Sequence, residues 1–291
     1  MRKSKKYIIA TIFLIFALIL ASVWASYFLL ETTYFDYTSP KIQEDVKLVV
    51  LADLHDHEFG ASNSKLISKV EEEKPDVILV VGDMLNDTSD NASVAVEVTR
   101  GLSESAPVYY ALGNHEIDYM ELHGEELMAE LEAAGAVILE MESQDIEVNG
   151  QKIRIGGMYD YAFAPDGNAS TIPENMVPEV QAFLTEVEDT DALKIMMAHR
   201  PDSFVFGDAP KTWDIDLVVS AHDHGGQVIL PFVGGVFGGD QGLFPDYVYG
   251  LHAFEKYDML ITRGLGSNPQ ILPRFNNRPE VMVLTVAEEI D

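Results

Sequence analysis

Two short motifs in this chain place a histidine two residues from another side chain that can bind a metal. They are Asp53-Leu54-His55 and His222-Asp223-His224. Side chains at positions i and i+2 of an extended strand end point to the same face, so each pair could grip one cation. Either motif alone is a weak signal, because such tripeptides also occur on surfaces and in cores.

Four more polar residues that could bind a metal directly follow apolar runs. They are Asp83, Asn114, His115 and His199. The chain has eight histidines and no cysteine, so histidine, aspartate and asparagine are its available ligands. A mixed nitrogen and oxygen set suits Mn, Fe, Zn or Co better than calcium. Taken together, the ordered groups predict a metal centre.

The apolar runs themselves predict the elements that position these groups. Buried strands are predicted at 47–52, 77–81, 108–112, 193–197 and 217–220. Helical spacing between them predicts helices at 65–73, 93–102, 125–134 and 178–187. This alternation indicates an α/β fold, in which polar groups after parallel strands gather at one edge of a sheet.

The second half of the chain carries further strand and loop signals. Asn149-Gly150 predicts a tight hairpin turn. Additional strands at 259–262 and 281–286 indicate a sheet of mixed direction. Residues 231–250, rich in glycine and phenylalanine, predict a long ordered loop, and such loops are often functional.

The first 30 residues predict a membrane anchor. A basic tip precedes an uncharged run from Tyr7 to Leu30, which exceeds the roughly 20 apolar residues that a span requires. A signal peptide cleaved near Ala25 is the alternative. The positive-inside rule places the N-terminus in the cytoplasm and the rest outside. Residues 31–45 are expected to be a linker before a catalytic domain at 46–291.

The formal net charge of the chain is −29. A field of that sign repels phosphate backbones, so a nucleic-acid partner is not expected. An anionic substrate would need bound cations that reverse the potential locally. Solubility outside the cell is an alternative explanation of the charge.

The order of the motifs resembles that of the calcineurin-like metallophosphoesterase superfamily, over roughly residues 46–286. The stretches 53–55, 199–202, 224–227 and 274–280 look like its bacterial membrane-associated phosphodiesterase branch. This resemblance implies a β-sandwich flanked by helices, in four layers (αββα), preceded by one transmembrane helix.

The resemblance also implies two divalent metal ions, with Mn, Zn, Fe or Co as candidates. One ion would take Asp53, His55 and His224. The other would take Asn114, His199 and His222, and Asp83 would bridge the two. A hydroxide held by both ions would attack phosphorus in line.

His115 is by the same resemblance the candidate to contact the phosphoryl oxygens or protonate the leaving group. A purely structural histidine is the alternative. Two positions depart from the family pattern, Ala221 in place of glycine and Asp223 between the two histidines. Neither removes a ligand, and Asp223 could either tighten cation binding or weaken the binding of an anionic substrate.

Other polar residues lack such a context. His57, His123 and His252 are expected to have surface or packing roles. Arg200, Arg274 and Arg278 could bind a second phosphate or a head group, with structural ion pairing as the alternative.

Three functions stay open. The leading one is an extracytoplasmic phosphoesterase that acts on a phospholipid, a lipid-linked phosphosugar or an envelope precursor, because an anchor favours substrates near the bilayer. A surface hydrolase that scavenges small phosphoesters is the alternative within the same chemistry. A non-catalytic metal-binding scaffold is a third, disfavoured because protein recognition does not need seven ligand positions. The sequence does not indicate an oligomeric state.

Overall fold

A computed structural model describes residues 2–159, 175–267 and 272–289. Its helices are α1 (Arg2–Phe28), α2 (Ser64–Glu73), α3 (Ser93–Ser103), α4 (Asn114–His123), α5 (Glu126–Ala133), α6 (Pro178–Glu188), α7 (Asp202–Val205) and α8 (Ala209–Thr212). Its strands are β1 (Glu31–Ser39), β2 (Val46–Leu51), β3 (Val77–Val81), β4 (Val108–Ala111), β5 (Ala136–Ile138), β6 (Glu142–Val148), β7 (Gln151–Met158), β8 (Leu193–Ala198), β9 (Leu217–Ser220), β10 (Ile229–Leu230), β11 (Gly234–Gly235), β12 (Phe237–Gly238), β13 (Gly242–Leu243), β14 (Gly250–Ala253), β15 (Asp258–Ile261) and β16 (Glu280–Glu288).

Twelve of these strands form two six-stranded sheets. The first sheet has the order β1-β16-β2-β3-β4-β5, in which β16 runs antiparallel to β2 and the other neighbours are parallel. The second has the order β14-β15-β9-β8-β7-β6, with antiparallel pairs at both edges. Strands β2, β3 and β4 are parallel in the first sheet, and β8 and β9 are parallel in the second. Each set therefore ends at one edge of its sheet.

Three apolar cores separate four layers. One core packs α2, α3 and α5 against the first sheet, one fills the space between the sheets, and one packs α6 against the second sheet. Helix α6 shows why these faces form, since Val180, Phe183, Leu184 and Val187 recur at helical spacing and are all buried. The four-layer αββα sandwich that the sequence predicts is confirmed.

The predicted strands and helices all lie within one or two residues of elements in the structure. The hairpin turn is confirmed as well, because Asn149 and Gly150 both have positive φ, which the twist of a two-residue turn requires. The long loop at 231–250 is ordered around two small hairpins, β10–β11 and β12–β13.

The expected linker at 31–45 is wrong for most of its length. Residues 31–39 form β1, which pairs in parallel with β16, so the folded domain begins at Glu31 rather than near Val46. Side chains at 34, 36 and 38 are exposed, whereas Phe35 and Tyr37 pack against the core between the sheets. An edge strand with one open face has a weak apolar pattern, because polar and aromatic residues alternate along it.

Helix α1 is long and apolar enough over Lys5–Phe28 to cross a membrane, and its most apolar 18-residue window has no buried residue. A signal sequence near an N-terminus would have the same length and composition. The last turns of α1 nevertheless contact the folded domain. Ser26 is buried, and its hydroxyl accepts a hydrogen bond from the backbone N–H of Asn277 at 3.1 Å.

Candidate metal centre

The polar groups predicted from the sequence come together at the carboxyl ends of the parallel strands. The first sheet supplies Asp53 and His55 after β2, Asp83 after β3, and Asn114 and His115 at the start of α4. The second sheet supplies His199 after β8 and His222 and His224 after β9. The site therefore lies where the edges of the two sheets face each other.

Ligand atoms of these residues form three groups, within each of which all atoms lie within 4.8 Å of one another. The groups are Asp53 with His55 and His224, His55 with Asp83 and His115, and Asp83 with His199 and His222. Asp83 and His55 each belong to two groups, so the groups adjoin. The His and Asp side chains are thus arranged to bind metal.

Buried polar atoms without partners test whether the residues fit a cation. Among the described residues, no hydrogen-bond donor or acceptor reaches either carboxylate oxygen of Asp53, Nε2 of His55, Nδ1 of His224 or Oδ1 of Asn114. Burying such atoms unpaired is costly, and bound cations would satisfy them. The residues fit a metal site.

Three of the four candidate imidazole ligands are in the protonation state that a metal needs. Burial lowers the pKa of His55 to about 4 and holds the pKa values of His222 and His224 well below the usual value. These rings are neutral near pH 7, so each keeps a free lone pair. Burial also raises the pKa of Asp53 to about 7, a shift that a bound cation would oppose.

His199 and Asp83 form the closest contact in the centre, with 3.1 Å between Nε2 and a carboxylate oxygen. Burial opposes the charge on this imidazole, but the Asp83 carboxylate outweighs it and raises the pKa of His199 to about 9. Nδ1 of His199 donates to the backbone oxygen of Val81 at 2.7 Å, which turns Nε2 toward Asp83.

A similar contact orients His55. Its Nδ1 lies 3.1 Å from Oδ1 of Asn86, whose amide group in turn donates to the backbone oxygen of His55. This pairing leaves Nε2 of His55 free for a metal. Asn86 follows Asp83 by three residues, and the sequence analysis did not identify it.

Glu116 is a second residue that the sequence analysis missed. It is buried, and its two carboxylate oxygens accept hydrogen bonds from the backbone N–H groups of Asp83, Met84 and Gly113 at 2.7, 2.7 and 2.9 Å. The hydroxyl of Tyr110 donates to it as well, at 2.7 Å. Glu116 therefore joins the loop after β3 to the start of α4. A glutamate three residues after the Gly113 cap is the signal that could have revealed it.

An open cavity of about 330 Å³ lies over the candidate ligands. His115 lines it, with Nδ1 at 3.0 Å from Oδ1 of Asp87 and Nε2 at 4.0 Å from Oδ2 of Asp83. The remaining lining residues are His55, Asp83, Asp87, His222, Asp223, His224, Gln227, Phe237 and Gly239. His115 is thus placed to touch a molecule in the cavity.

Asp223 contacts the loop that borders this cavity. Its Oδ2 accepts a hydrogen bond from the amide of Gln241 at 2.8 Å, and that amide also donates to the backbone oxygen of Tyr247. Asp223, which departs from the family pattern, therefore holds the loop of the β12–β13 hairpin beside the candidate ligands.

Arg274 does not face the cavity. It is fully buried, and its guanidinium donates to the backbone oxygens of Arg263, Gly264 and Gly266 at 2.9, 3.3 and 2.6 Å. Gly264 packs so closely on the Asp53 carboxylate that a Cβ atom there would collide with it. Arg274 supports the loop behind Asp53, so the prediction that it could bind a second phosphate is wrong.

Asn277 supports the other side of the centre. Its side-chain amide donates to the backbone oxygens of His224 and Gln227 at 2.6 and 3.1 Å. Arg274 and Asn277 also contact each other at 3.1 Å. The 274–280 segment thus braces two loops that carry candidate ligands, a role that its sequence does not reveal.

The three remaining histidines lie outside the ligand groups. The ring of His57 packs on Phe59, His123 stacks on Tyr119, and His252 lies 3.0 Å from the backbone oxygen of Tyr249. These contacts are the packing roles that the sequence analysis expected.

Comparisons with known proteins identify the family of the chain. A model of the calcineurin-like phosphoesterase family matches residues 46–226. The chain is 32% identical to the phosphodiesterase YaeI of Escherichia coli over 82% of its own length and 81% of that protein. It is 27% identical to an uncharacterized metallophosphoesterase of Bacillus subtilis, YkuE, over 89% and 86% of the two chains. The structure of a phosphopantetheinyl hydrolase from Mycobacterium tuberculosis aligns with 77% of the chain and over 91% of its own length. The TM-score of this alignment is 0.46 and the sequence identity is 16%.

Proposed function

Because the chain belongs to the calcineurin-like phosphoesterase family and is therefore a metal-dependent phosphoric ester hydrolase, we propose that it is a dinuclear phosphodiesterase that works at a membrane surface. The preference for diesters is supported by the relative from Escherichia coli, which is a phosphodiesterase. The observation that carries the dinuclear site is that Asp83 shares one ligand group with His55 and another with His199 and His222.

In the proposed site, the candidate ligands keep the roles that the family resemblance implies. Asp53, His55 and His224 would hold one cation, Asn114, His199 and His222 would hold the other, and Asp83 would be shared between them. Mn, Zn, Fe and Co all suit this donor set. When bound, the cations would activate a water molecule and neutralise charge on the phosphoryl oxygens.

His115 is the proposed catalytic residue of the chain itself. Its side chain lines the cavity and is partly exposed, whereas the side chains of Asp83 and His199 are almost fully buried. The contact with Asp87 fixes the ring, so Nε2 faces the place where a phosphoester would lie. From there it can donate a proton to the leaving oxygen.

Helix α1 supports a substrate at the bilayer. We place the catalytic domain outside the cytoplasm, because the basic residues precede the apolar stretch. Phospholipids, lipid-linked phosphosugars and envelope precursors are the substrate classes that an anchored enzyme meets there. Small soluble phosphoesters are the competing class.

The first test is hydrolysis by the full chain in detergent, stripped of metal and resupplied separately with Mn, Zn, Fe or Co. Bis(p-nitrophenyl) phosphate and p-nitrophenyl phosphate compare the two ester classes. We expect metal-dependent turnover that favours the diester. Asp83→Asn and His222→Ala should each lower kcat/KM by about 100-fold or more, because charge stabilisation by the metals is lost.

His123→Ala is the matched control, since His123 is an exposed histidine outside the ligand groups. It should retain the activity of the unaltered chain. Full activity of Asp83→Asn, or turnover that persists without metal, would contradict the proposed site. Tight metal binding without hydrolysis of either ester would favour the scaffold.

A further inference from the structure

The turn of the β10–β11 hairpin exposes large apolar side chains to solvent. We call residues 230–233 the apolar tip. Phe232 is fully exposed and Val233 is 58% exposed, while Leu243 and Phe244 of the adjoining segment are exposed by 70% and 57%. An exposed apolar cluster of this kind marks a surface that meets a partner or a membrane.

The apolar tip lies beside the end of helix α1. Ile229 lies at the base of the tip. Its backbone N–H donates to the backbone oxygen of Phe275 at 3.0 Å, and its backbone oxygen accepts a hydrogen bond from the side-chain amide of Asn276 at 3.0 Å. The backbone N–H of Asn276 donates to the hydroxyl of Ser22 in α1 at 3.1 Å. One residue thus connects the hairpin to the apolar helix.

The depth of Ser22 in a bilayer would set the depth of the hairpin that is connected to it. The uncharged stretch begins at Tyr7, and 20 helical residues span about 30 Å, the thickness of a bilayer core. A core that starts at Tyr7 ends near Ser26, and Ser22 lies about 6 Å on the membrane side of that boundary. With α1 across a bilayer, the base of the hairpin would therefore lie close to the interface between lipid and water.

The same loop also reaches the candidate metal centre. Gln227 and Phe237, on either side of the hairpin, both line the cavity over the ligands. Phe232 follows Gln227 by five residues, so the two are at most about 18 Å apart. A lipid in the leaflet beside the tip would have its phosphoester within reach of the cavity.

Charge favours lipid as the occupant. The chain has a net charge of −29, yet residues 225–239 contain no charged side chain. A bilayer with anionic head groups would repel most of this surface but not the apolar tip. A proline at 231 and two glycines at 234 and 235 shape the turn without adding polar side chains.

We propose that the apolar tip, together with Leu243 and Phe244, inserts into the bilayer next to α1 and holds the mouth of the metal cavity against the lipid head groups. The insertion rests on the contacts with α1 and on the span of the bilayer by that helix. Its consequence for the substrate, a phosphodiester presented by a membrane lipid, rests on the proposed function.

The absence of cysteine allows insertion to be measured directly. Phe232→Cys in the full chain is labelled with a nitroxide and reconstituted into vesicles of phosphatidylethanolamine and phosphatidylglycerol. We expect the label to be accessible to oxygen and shielded from a water-soluble nickel complex. Glu44→Cys is the control, because Glu44 is exposed just before β2, at the end of that strand opposite Asp53.

Equal access of the nickel complex to both labels would overturn the proposal. A label at position 232 that is shielded from the nickel complex and also from oxygen would overturn it too, in favour of a second protein or a second copy of the chain. Neither accessibility measurement depends on catalytic activity, so the test remains valid if the hydrolysis assay fails.

A charge at the tip tests the consequence for substrate. Two rates are measured: hydrolysis in vesicles of a phosphatidylethanolamine with a fluorescent head group, and hydrolysis of soluble bis(p-nitrophenyl) phosphate. Phe232→Asp should lower the first rate relative to the second by about tenfold. Gln43→Asp adds the same charge beside Glu44 and should leave the ratio unchanged. An unchanged ratio in Phe232→Asp would overturn presentation of lipid by the tip, and inactivity of the unaltered chain on both esters would instead refute the proposed function.

Discussion

Among single residues, five of the seven candidate ligands have a left-handed backbone conformation. They are Asp53, His55, Asp83, His222 and His224, with φ between 47° and 71°. Such conformations cost roughly 1–3 kcal/mol each in residues other than glycine, so the surrounding structure must hold them. Glu116 is one such support, since it binds the backbone N–H of Asp83.

Glu116→Gln tests this support. An amide has one acceptor oxygen where the carboxylate has two, so an amide N–H would face backbone N–H or hydroxyl donors. Leaving a buried donor unpaired costs about 1–3 kcal/mol. We expect the melting temperature of the metal-free chain to fall by several degrees, measured by circular dichroism in detergent.

Glu121→Gln gives the comparison within the same helix, because Glu121 is exposed on α4. Its melting temperature should match that of the unaltered chain. Equal melting of the two variants would show that Glu116 is not needed to hold the loop after β3.

On the scale of elements, the 274–280 segment holds together parts of the site that are far apart in sequence. Arg274 bonds to the loop at 263–266 and Asn277 bonds to the loop at 224–227. These loops carry the groups that position Asp53 and His224. The segment therefore acts as a brace behind the metal centre rather than as part of its cavity.

Arg274→Lys should weaken this brace without changing the charge. An ammonium group cannot reproduce the planar set of contacts that a guanidinium makes to several backbone oxygens. Loss of such supporting contacts typically lowers metal affinity by about 10–100-fold. Competition between the protein and a chelator for Mn or Zn measures the change.

Arg278→Lys is the control from the same segment, because the Arg278 side chain is exposed. We expect its metal affinity to be unchanged. If both variants bind metal as tightly as the unaltered chain, the brace does not influence the ligands.

Considered as a whole, the molecule has no flexible spacer between helix α1 and the catalytic domain among its described residues. β1 begins at Glu31, three residues after α1 ends, and Ser22, Ser26 and Tyr27 bond to the 274–280 segment. The same segment braces the metal centre. An anchored chain would therefore hold its site at a set height and orientation above the bilayer.

Labelling of cysteine variants in intact cells tests the proposed orientation. A membrane-impermeant maleimide should label Glu44→Cys before the cells are permeabilised, since the positive-inside rule places this residue outside. Ser4→Cys, in the basic first turn of α1, should react only after permeabilisation. The reverse pattern would place the catalytic domain in the cytoplasm, and a product that lacks position 4 would indicate cleavage of the N-terminal segment.

The sequence by itself determined the elements with strong local patterns and the residues at their ends. Continuous apolar runs such as 77–81 can only be buried, and a polar group directly after such a run must lie at the edge of a sheet. The candidate metal ligands followed from these patterns and from the family resemblance, and the four layers followed from the resemblance. Asn149-Gly150 likewise predicted its turn, because few dipeptides accept two positive φ angles.

Only the tertiary structure decided the features that depend on contacts distant in sequence. Strand β1 has one open face and little apolar contrast, so its pairing with β16, some 249 positions away in the register, was hidden. The buried position of Arg274 depends on backbone groups of other loops, which no local pattern records, and so does the contact of Glu116 with the loop after β3. The apolar tip gains its meaning from its place beside α1, because an exposed phenylalanine in a glycine-rich loop has no defined partner until the fold supplies one.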